Sequence, residues 1–334
     1  MELVRTSPGD SHYHWFENFL PVIYPENRLP YLRGKNAHAD FLQGQYLVMK
    51  SGMAVARFAI YNNPWLNYKN LFSVSIGQYE CIEDETVSTF ALNEATNIAR
   101  GLKASFVIGP MNGSTWDTYR FTDAFDQPLF LQEQEHPLYY HAQFSRAGFE
   151  VIAKYNSSID RSFTRNQHHV LLREEELTQE GLRIREIDIH RYEEELTRLH
   201  PFILEAFQRN FLYTPIALPL FLKKYLEVKP MVNAKHVLIA EDAAENIVGF
   251  IFCYDDLYNT TEKSLVIKTI ARKMDAQWKG LGHILANRII DTAAAENYQS
   301  LIHAFIIENG TSAEASRNFA GEVFKHYSLY AKPL

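Results

Sequence analysis

The sequence predicts a mixed α/β (α+β) fold of two tandem domains, each a mixed twisted sheet flanked by helices. The first supporting observation is that strand-like alternating segments are interspersed with segments of helical apolar periodicity along the whole chain. The second is that the element order of the second half recurs in the first half at a spacing of roughly 190–200 residues, as an internal repeat would produce. The halves share little residue identity, so the repeat rests on the order of elements.

The second half has the clearest pattern. Strands are predicted over residues 182–189, 236–241, 247–254, 264–271, 301–307 and 328–332, and helices over 192–207, 215–226, 280–297 and 313–324. The helix over 280–297 has one apolar stripe, as a helix packed on a sheet requires; the stripe consists of Leu281, Leu285, Ile289 and Ala293. The resulting element order is β-α-α-β-β-β-α-β-α-β.

The first half repeats much of this order. Its strands are predicted over residues 45–49, 53–61, 71–79, 105–108 and 149–156, and its helices over 85–100 and 139–147. A polar stretch with the adjacent His168 and His169 separates the halves. We therefore predict a first domain over residues 1–160, a linker over 161–180 and a second domain over 181–334, with both histidines solvated in the linker.

The composition indicates a globular protein with cores of ordinary size. Of 334 residues, 46% are hydrophobic, and this length favours about two domains. The formal net charge of −7 argues against a nucleic-acid partner held by a broad basic face. No apolar run is long enough to span a bilayer, so we expect a cytoplasmic protein without a membrane partner. Cys81 and Cys253 are predicted to be buried free thiols, and no residue spacing indicates a metal site.

One segment of the second half has the features of an anion site. It reads Gln277-Trp278-Lys279-Gly280-Leu281-Gly282 and lies between a predicted strand and a predicted helix. Such a turn lets several backbone N–H groups point one way, and the helix N-terminus adds partial positive charge. The two glycines allow close backbone approach, and Lys279 can add a full charge. The segment is neither a P-loop nor a dinucleotide-binding fingerprint. The alternative is a helix that simply starts after a glycine-rich turn.

This segment resembles the Gln/Arg-x-x-Gly-x-Gly/Ala loop of the GCN5-related N-acetyltransferases, which cradles the pyrophosphate of acetyl-CoA. The predicted element order of the second half is also the order of that fold. The resemblance implies that acetyl-CoA, or another acyl-CoA, is the co-substrate and that no metal is needed. The residues it assigns to acyl-CoA binding are Ile270, Ala271, Arg272, Gln277, Trp278, Lys279, Gly280, Leu281, Gly282 and Asn309.

The first half lacks this loop. At the corresponding position it reads Ile82-Glu83-Asp84-Glu85-Thr86, and three carboxylates at a helix start suit the helix dipole but would repel a pyrophosphate. The chain therefore resembles tandem acetyltransferase-like proteins in which one copy, here the first, is degenerate. A loop over residues 109–121 in this half has polar and aromatic side chains. It could contact a ligand, or it could be a long turn whose Trp116 packs on the sheet.

Acyl transfer to an amine needs a base and a means of releasing the thiolate. His303 and Glu308 are the best-placed base candidates, with Lys268 and Asp255 less favoured. His303 could instead be a packed strand residue, and Glu308 could be part of a simple turn. Members of the family often have a Tyr on the last helix as the acid. No Tyr occupies that position here, so Ser316 or a water substitutes, or the thiolate leaves unaided, or the copy is inactive.

These observations predict an acyl-CoA-dependent N-acyltransferase that transfers an acetyl group to a primary amine by direct attack. The expected acceptor is a small-molecule amine, and no oligomeric state is predicted. Two alternatives stay open at this point. One is a non-catalytic acyl-CoA sensor or scaffold, supported by the missing Tyr. The other is an aminoacyl transferase of the tandem cell-wall type, against which the acidic net charge weighs.

Overall fold

The computed structural model describes residues 1–32, 40–163, 168–308 and 321–334. Its helices are α1 Tyr13–Glu17, α2 Leu20–Ile23, α3 Leu29–Leu32, α4 Glu85–Gly101, α5 Tyr139–Arg146, α6 His168–Gln179, α7 Tyr192–Phe207, α8 Leu218–Leu226 and α9 Leu281–Ala295. Its strands are β1 Glu2–Thr6, β2 Leu42–Lys50, β3 Met53–Tyr61, β4 Asn67–Tyr68, β5 Leu71–Cys81, β6 Phe106–Gly109, β7 Phe121–Thr122, β8 Glu150–Asp160, β9 Arg183–Glu186, β10 Val237–Glu241, β11 Ile247–Asp255, β12 Ser264–Arg272, β13 Ser300–Ile307 and β14 Glu322–Pro333.

The strands form one continuous mixed sheet. Its order is β1-β2-β3-β5-β6-β14-β8-β13-β12-β11-β10-β9, with β4 paired to β5 and β7 paired to β14. The pairs β5–β6 and β12–β13 are parallel, and each ends a run of four antiparallel strands. The two halves therefore repeat one arrangement, which confirms the predicted mixed α/β fold.

The two halves exchange strands at the centre of the sheet. Strand β8 of the first half lies between β14 and β13, and β14, at the end of the chain, lies between β6 and β8. Each half thus completes its part of the sheet with a strand from the other half. The boundaries at residues 160 and 181 stay a prediction.

Two predicted segments need correction. Glu322–Phe324 were predicted to end a helix that starts at residue 313, but they begin β14, where Val323 pairs with Ser158. Residues 309–320 lie outside the described residues. The predicted linker contains α6, a helix with buried Val170 and Leu177 that packs against α9. These two apolar residues are seven apart and give α6 one inward face despite its polar composition. His168 and His169 are exposed at its start.

In the second half, different helices cover the two faces of the sheet. On one face, α9 and α6 pack over a core that includes Leu265, Ile267 and Leu301. On the other face, α7 and α8 pack over Phe250 and Ala271. Beside α7 and α8, Phe130 of the first half packs against the same sheet face. The first half therefore contributes directly to one side of the second half. Among the described residues, no helix combines the length and the apolar character needed to cross a bilayer.

Candidate functional site

The second half has an opening between its two parallel strands. β12 and β13 pair from Ser264↔Ser300 to Ile267↔His303 and no further. Beyond this point β12 stays paired to β11, and β13 stays paired to β8. Within the described part of the chain, the facing edges of these strand ends therefore have main-chain groups without a strand partner, and they bound a slot.

Both strands have a β-bulge where they part. On β12, the pairing with β11 skips Lys268, which makes it the extra residue of the bulge. On β13, the pairing with β8 is interrupted between His303 and Ile306, and Phe305 there has a left-handed φ of 59°. Bulges re-aim side chains. The Lys268 Nζ lies 4.6 Å from the centroid of the Phe305 ring, at the point where the two strands part.

Helix α9 begins beside this slot. Its N-cap, Gly280, has a φ of 93°, a left-handed conformation that glycine adopts without strain. A β carbon built on Gly282 would lie 3.6 Å from Cγ2 of Ile270, so the first turn of α9 and β12 are neighbours. The first N–H groups of a helix have no partner within it and carry partial positive charge. The end of α9 therefore has the chemistry of an anion site next to the slot.

Arg173 of α6 fixes the shape of this turn. Its Nη2 donates to the Gln277 carbonyl at 2.5 Å, and its Nε donates to the Lys279 carbonyl at 3.2 Å. In a trans peptide the N–H points opposite to the C=O. Because the Lys279 carbonyl faces Arg173, the N–H of Gly280 points away from Arg173. One arginine thus binds two carbonyls of the turn, while the N–H of Gly280 faces the other way.

Replacing Arg173 with alanine should weaken coenzyme A binding about tenfold, because two charge-assisted hydrogen bonds that hold the turn are lost. Isothermal titration calorimetry with coenzyme A measures this effect. Glu176→Ala is the matched control, since it removes the ion pair to Arg173 on the same helix and leaves both contacts to the turn. Equal affinities for wild type and Arg173→Ala would show that Arg173 does not organise the turn.

Lys268 is placed to act as a base. It is half-buried, and burial together with the positive charges of Arg120 and Lys224 lowers its pKa to about 7. Lys224, on α8, forms an ion pair with Asp117 of the first half. A lysine with a pKa near neutrality can accept a proton in the physiological range.

The first-half loop over residues 109–121 covers this side of the slot. Trp116 packs against α7 and α8, and its Nε1 donates to the Thr214 carbonyl at 2.8 Å. Trp116 and Thr269 line a narrow crevice with a volume of about 30 Å³. The other lining residues are apolar or aromatic: Ile187, Tyr192, Leu196, Leu199, Ile203, Phe207, Phe221, Tyr225, Val237, Phe250 and Phe252. Trp116 therefore packs, as one of the two alternatives expected, and contact of the loop with a ligand stays a prediction.

The equivalent region of the first half is closed. A β carbon on Gly77 of β5 would lie 2.2 Å from the Asn112 side chain, so the space beside β5 is filled. Asn112 Oδ1 also accepts from the Gln78 N–H. At the start of α4, Asp84 accepts from the N–H groups of Thr86 and Val87. The helix end that would bind an anion is thus occupied by its own carboxylate, as predicted for a degenerate copy.

Apart from Asn309, the residues predicted to bind acyl-CoA lie on β12 beside the slot and in the turn that leads into α9. Ile270, Ala271 and Arg272 are on the part of β12 that lies beyond its pairing with β13. Trp278 is buried under the turn, while Gln277 and Lys279 are exposed on it. Leu281 is buried in the core beneath α9. Asn309 lies outside the described residues. The structure brings these residues together, and their assignment to a cofactor stays a prediction.

The predicted catalytic residues are less well placed. His303 is buried at the end of the paired region, and burial lowers its pKa to about 4, so its ring is neutral and weakly basic at pH 7. Glu308 follows β13 and lies 3.3 Å from the His326 Nδ1. Ser316 lies outside the described residues. These assignments stay predictions, and Lys268 has the more favourable position.

Sequence reasoning ranked one residue of the site too low and missed two others. Lys268 was ranked low because alternation gives no sign of a bulge. Arg173 lies in the stretch predicted as a linker, and Arg120 lies in the first half, remote in sequence from the slot. The exchange of strands between the halves brings these segments together. No local sequence pattern predicts that exchange. Among the described residues, no cluster of His, Cys, Asp or Glu could hold a metal ion.

Several solved structures have the same overall architecture. A tandem GNAT protein from the clavulanic acid biosynthesis pathway aligns with 99% of this chain and 98% of its own, with a TM-score of 0.55 and 10% identity. A probable N-acyltransferase from Enterococcus faecalis aligns with 100% of this chain and 73% of its own, with a TM-score of 0.57 and 9% identity. A GCN5-related glucosamine N-acetyltransferase region of a fungal multi-domain GH3 β-N-acetylglucosaminidase gives a TM-score of 0.56 at 13% identity.

The alignment with the fungal protein covers 99% of this chain and 38% of that protein. No protein-family model matches the sequence, and no curated protein sequence matches it significantly. At these identities the likeness shows the fold. The chain has the fold of the GCN5-related N-acetyltransferases in its tandem form, as the resemblance predicted.

Proposed function

We propose that the second half binds acetyl-CoA, or another acyl-CoA, and transfers the acyl group to an amine. The observation that supports this most is the parting of β12 and β13 directly beside the Gly280 end of α9. A narrow slot with an anion site at its edge suits a thin pantetheine arm that ends in a pyrophosphate. The N–H groups of Gly280, Leu281 and Gly282 would bind the pyrophosphate, and Lys279 would add charge at the rim.

The slot residues suit direct attack. Lys268 accepts a proton from the ammonium of the acceptor, and the neutral amine attacks the thioester carbonyl. The C–N bond forms as the C–S bond breaks, coenzyme A leaves as a thiolate, and the nitrogen of the new amide then loses its second proton to that thiolate. On the edge of β12 between Lys268 and Arg272, main-chain groups without a strand partner in the described part of the chain would stabilise negative charge on the carbonyl oxygen. A thiolate is a far better leaving group than an amine anion, so its departure needs no dedicated acid.

The test has two parts. Calorimetric titration with coenzyme A and acetyl-CoA measures binding, and a thiol-release assay with an amine panel measures transfer. We expect binding of both compounds and release of coenzyme A only when an acceptor is present. No binding of either compound would reject the proposal. Binding without release from any panel member would favour the sensor function over the enzyme.

A further inference from the structure

Arg120 is a buried cation without a counter-ion among the described residues. Its side chain belongs to the first half, but it reaches the slot of the second half and is 7% exposed. Nη1 has no hydrogen-bond partner, and Arg120 forms no ion pair with any described residue. Buried guanidinium groups are ordinarily paired with a carboxylate or fully hydrogen-bonded. Arg120 therefore has donor capacity that this fold leaves unused.

Aromatic rings hold Arg120 in place. Its Cζ lies 4.0 Å from the ring centroid of Phe305, 4.1 Å from that of Tyr119 and 4.8 Å from that of Tyr155. Contacts of this kind stabilise a cation and fix the guanidinium plane, but they satisfy none of its N–H groups. The backbone of Arg120 is also in a left-handed conformation, with φ of 73°. Strained residues of this kind cluster at ligand sites.

Arg120 and Lys268 both contact the ring of Phe305, at the point where β12 and β13 part. Phe305 is 4.0 Å from Arg120 Cζ and 4.6 Å from Lys268 Nζ, measured to the ring centroid. Arg120 is therefore next to the point where the proposed amine acceptor would meet the thioester. The neighbouring cation Lys224 forms an ion pair with Asp117.

We propose that Arg120 binds the carboxylate of the acceptor, and that the acceptor is an amino acid rather than a simple amine. This inference rests on the proposed acyl transfer. An arginine fork matches a carboxylate with two parallel hydrogen bonds. In an α-amino acid the amine is one carbon from the carboxylate, so a carboxylate on Arg120 places the amine near Lys268.

The test uses matched pairs that differ only in the carboxylate: phenylalanine with phenethylamine, and leucine with isoamylamine. Coenzyme A release is measured for wild type, Arg120→Gln and Arg120→Lys, with exposed Arg100→Gln as the control. We expect the amino acid of each pair to have at least a tenfold higher kcat/KM in the wild type. Arg120→Gln should remove this preference through a higher KM, and Arg120→Lys should retain part of it. Equal use of both members by the wild type, or an unchanged preference in Arg120→Gln, would overturn the inference.

Two further readouts separate this inference from acyl transfer itself. Calorimetric titration of the two amino acids without acetyl-CoA should show binding to wild type and none to Arg120→Gln, even if no panel member is acylated. Absence of amino acid binding to the wild type would reject the carboxylate site while coenzyme A binding still holds. Because an unpaired buried charge is removed, the melting temperature of Arg120→Gln should stay level or rise. A fall of several degrees with unchanged amino acid binding would give Arg120 a structural role only.

Discussion

Replacing Lys268 with methionine should lower kcat by about 10²–10³-fold, the range typical of a lost general base, while the affinity for acetyl-CoA stays unchanged. Methionine keeps the length and apolar stem of the side chain, so packing on Phe305 is preserved. The measurement is steady-state thiol release with the best acceptor of the panel, together with calorimetric titration of acetyl-CoA. Lys263→Met, at the exposed position just before the same strand, is the matched control.

The pH profile tests the same assignment independently. The pKa of Lys268 is about 7, and the active form of a base is the unprotonated one. The rate should therefore fall about tenfold per pH unit below 7 and level off above it, until another group titrates. Because the charge of Arg120 lowers the pKa of Lys268, Arg120→Gln should move the inflexion to higher pH. A Lys268→Met enzyme with normal kcat and an unchanged inflexion would exclude Lys268 as the base.

The local pattern of apolar and polar residues was sufficient to predict most helices and strands of the fold. The helix over residues 192–207 was predicted with its observed ends, and α9 was predicted to within two residues at each end. Both helices have strong apolar periodicity and clear signals at their ends. Periodicity and end signals depend only on residues close together in sequence, so they can be recognised without the tertiary structure. The residues of the turn at 277–282 were also predicted, because glycine spacing before a helix is a local signal.

Long-range pairing was not predictable in this way. The central strands β8 and β14 were each expected to complete their own half, but they exchange places in the sheet. Both arrangements give the same alternation along each strand, so the sequence pattern does not distinguish them. The exchange places β8 beside β13, which aligns Tyr155 and Phe305 near Arg120. The acceptor side of the proposed site is thus a product of tertiary structure.

Replacing Gly280 with valine should weaken coenzyme A binding at least 100-fold, a difference of about 2.7 kcal/mol. A β-branched residue is strained at the φ of 93° found here, and its β carbon would lie 3.2 Å from Cγ of Arg173. The turn would relax, and the N–H groups of residues 280–282 would no longer converge on one diphosphate. Calorimetric titration with coenzyme A measures this loss of affinity.

Two control variants separate loss of the anion site from general destabilisation. Gly52→Val places the same side chain at a φ of 81° in the turn between β2 and β3, with no atom within 4 Å of the new β carbon. It should lower the melting temperature to a similar degree and leave coenzyme A binding intact. Gly282→Ala adds a methyl group at an ordinary contact distance and should change affinity by less than about threefold. Because only Gly280 combines a left-handed backbone with the first amides of α9, unchanged coenzyme A affinity in Gly280→Val would place the pyrophosphate elsewhere and reject the site.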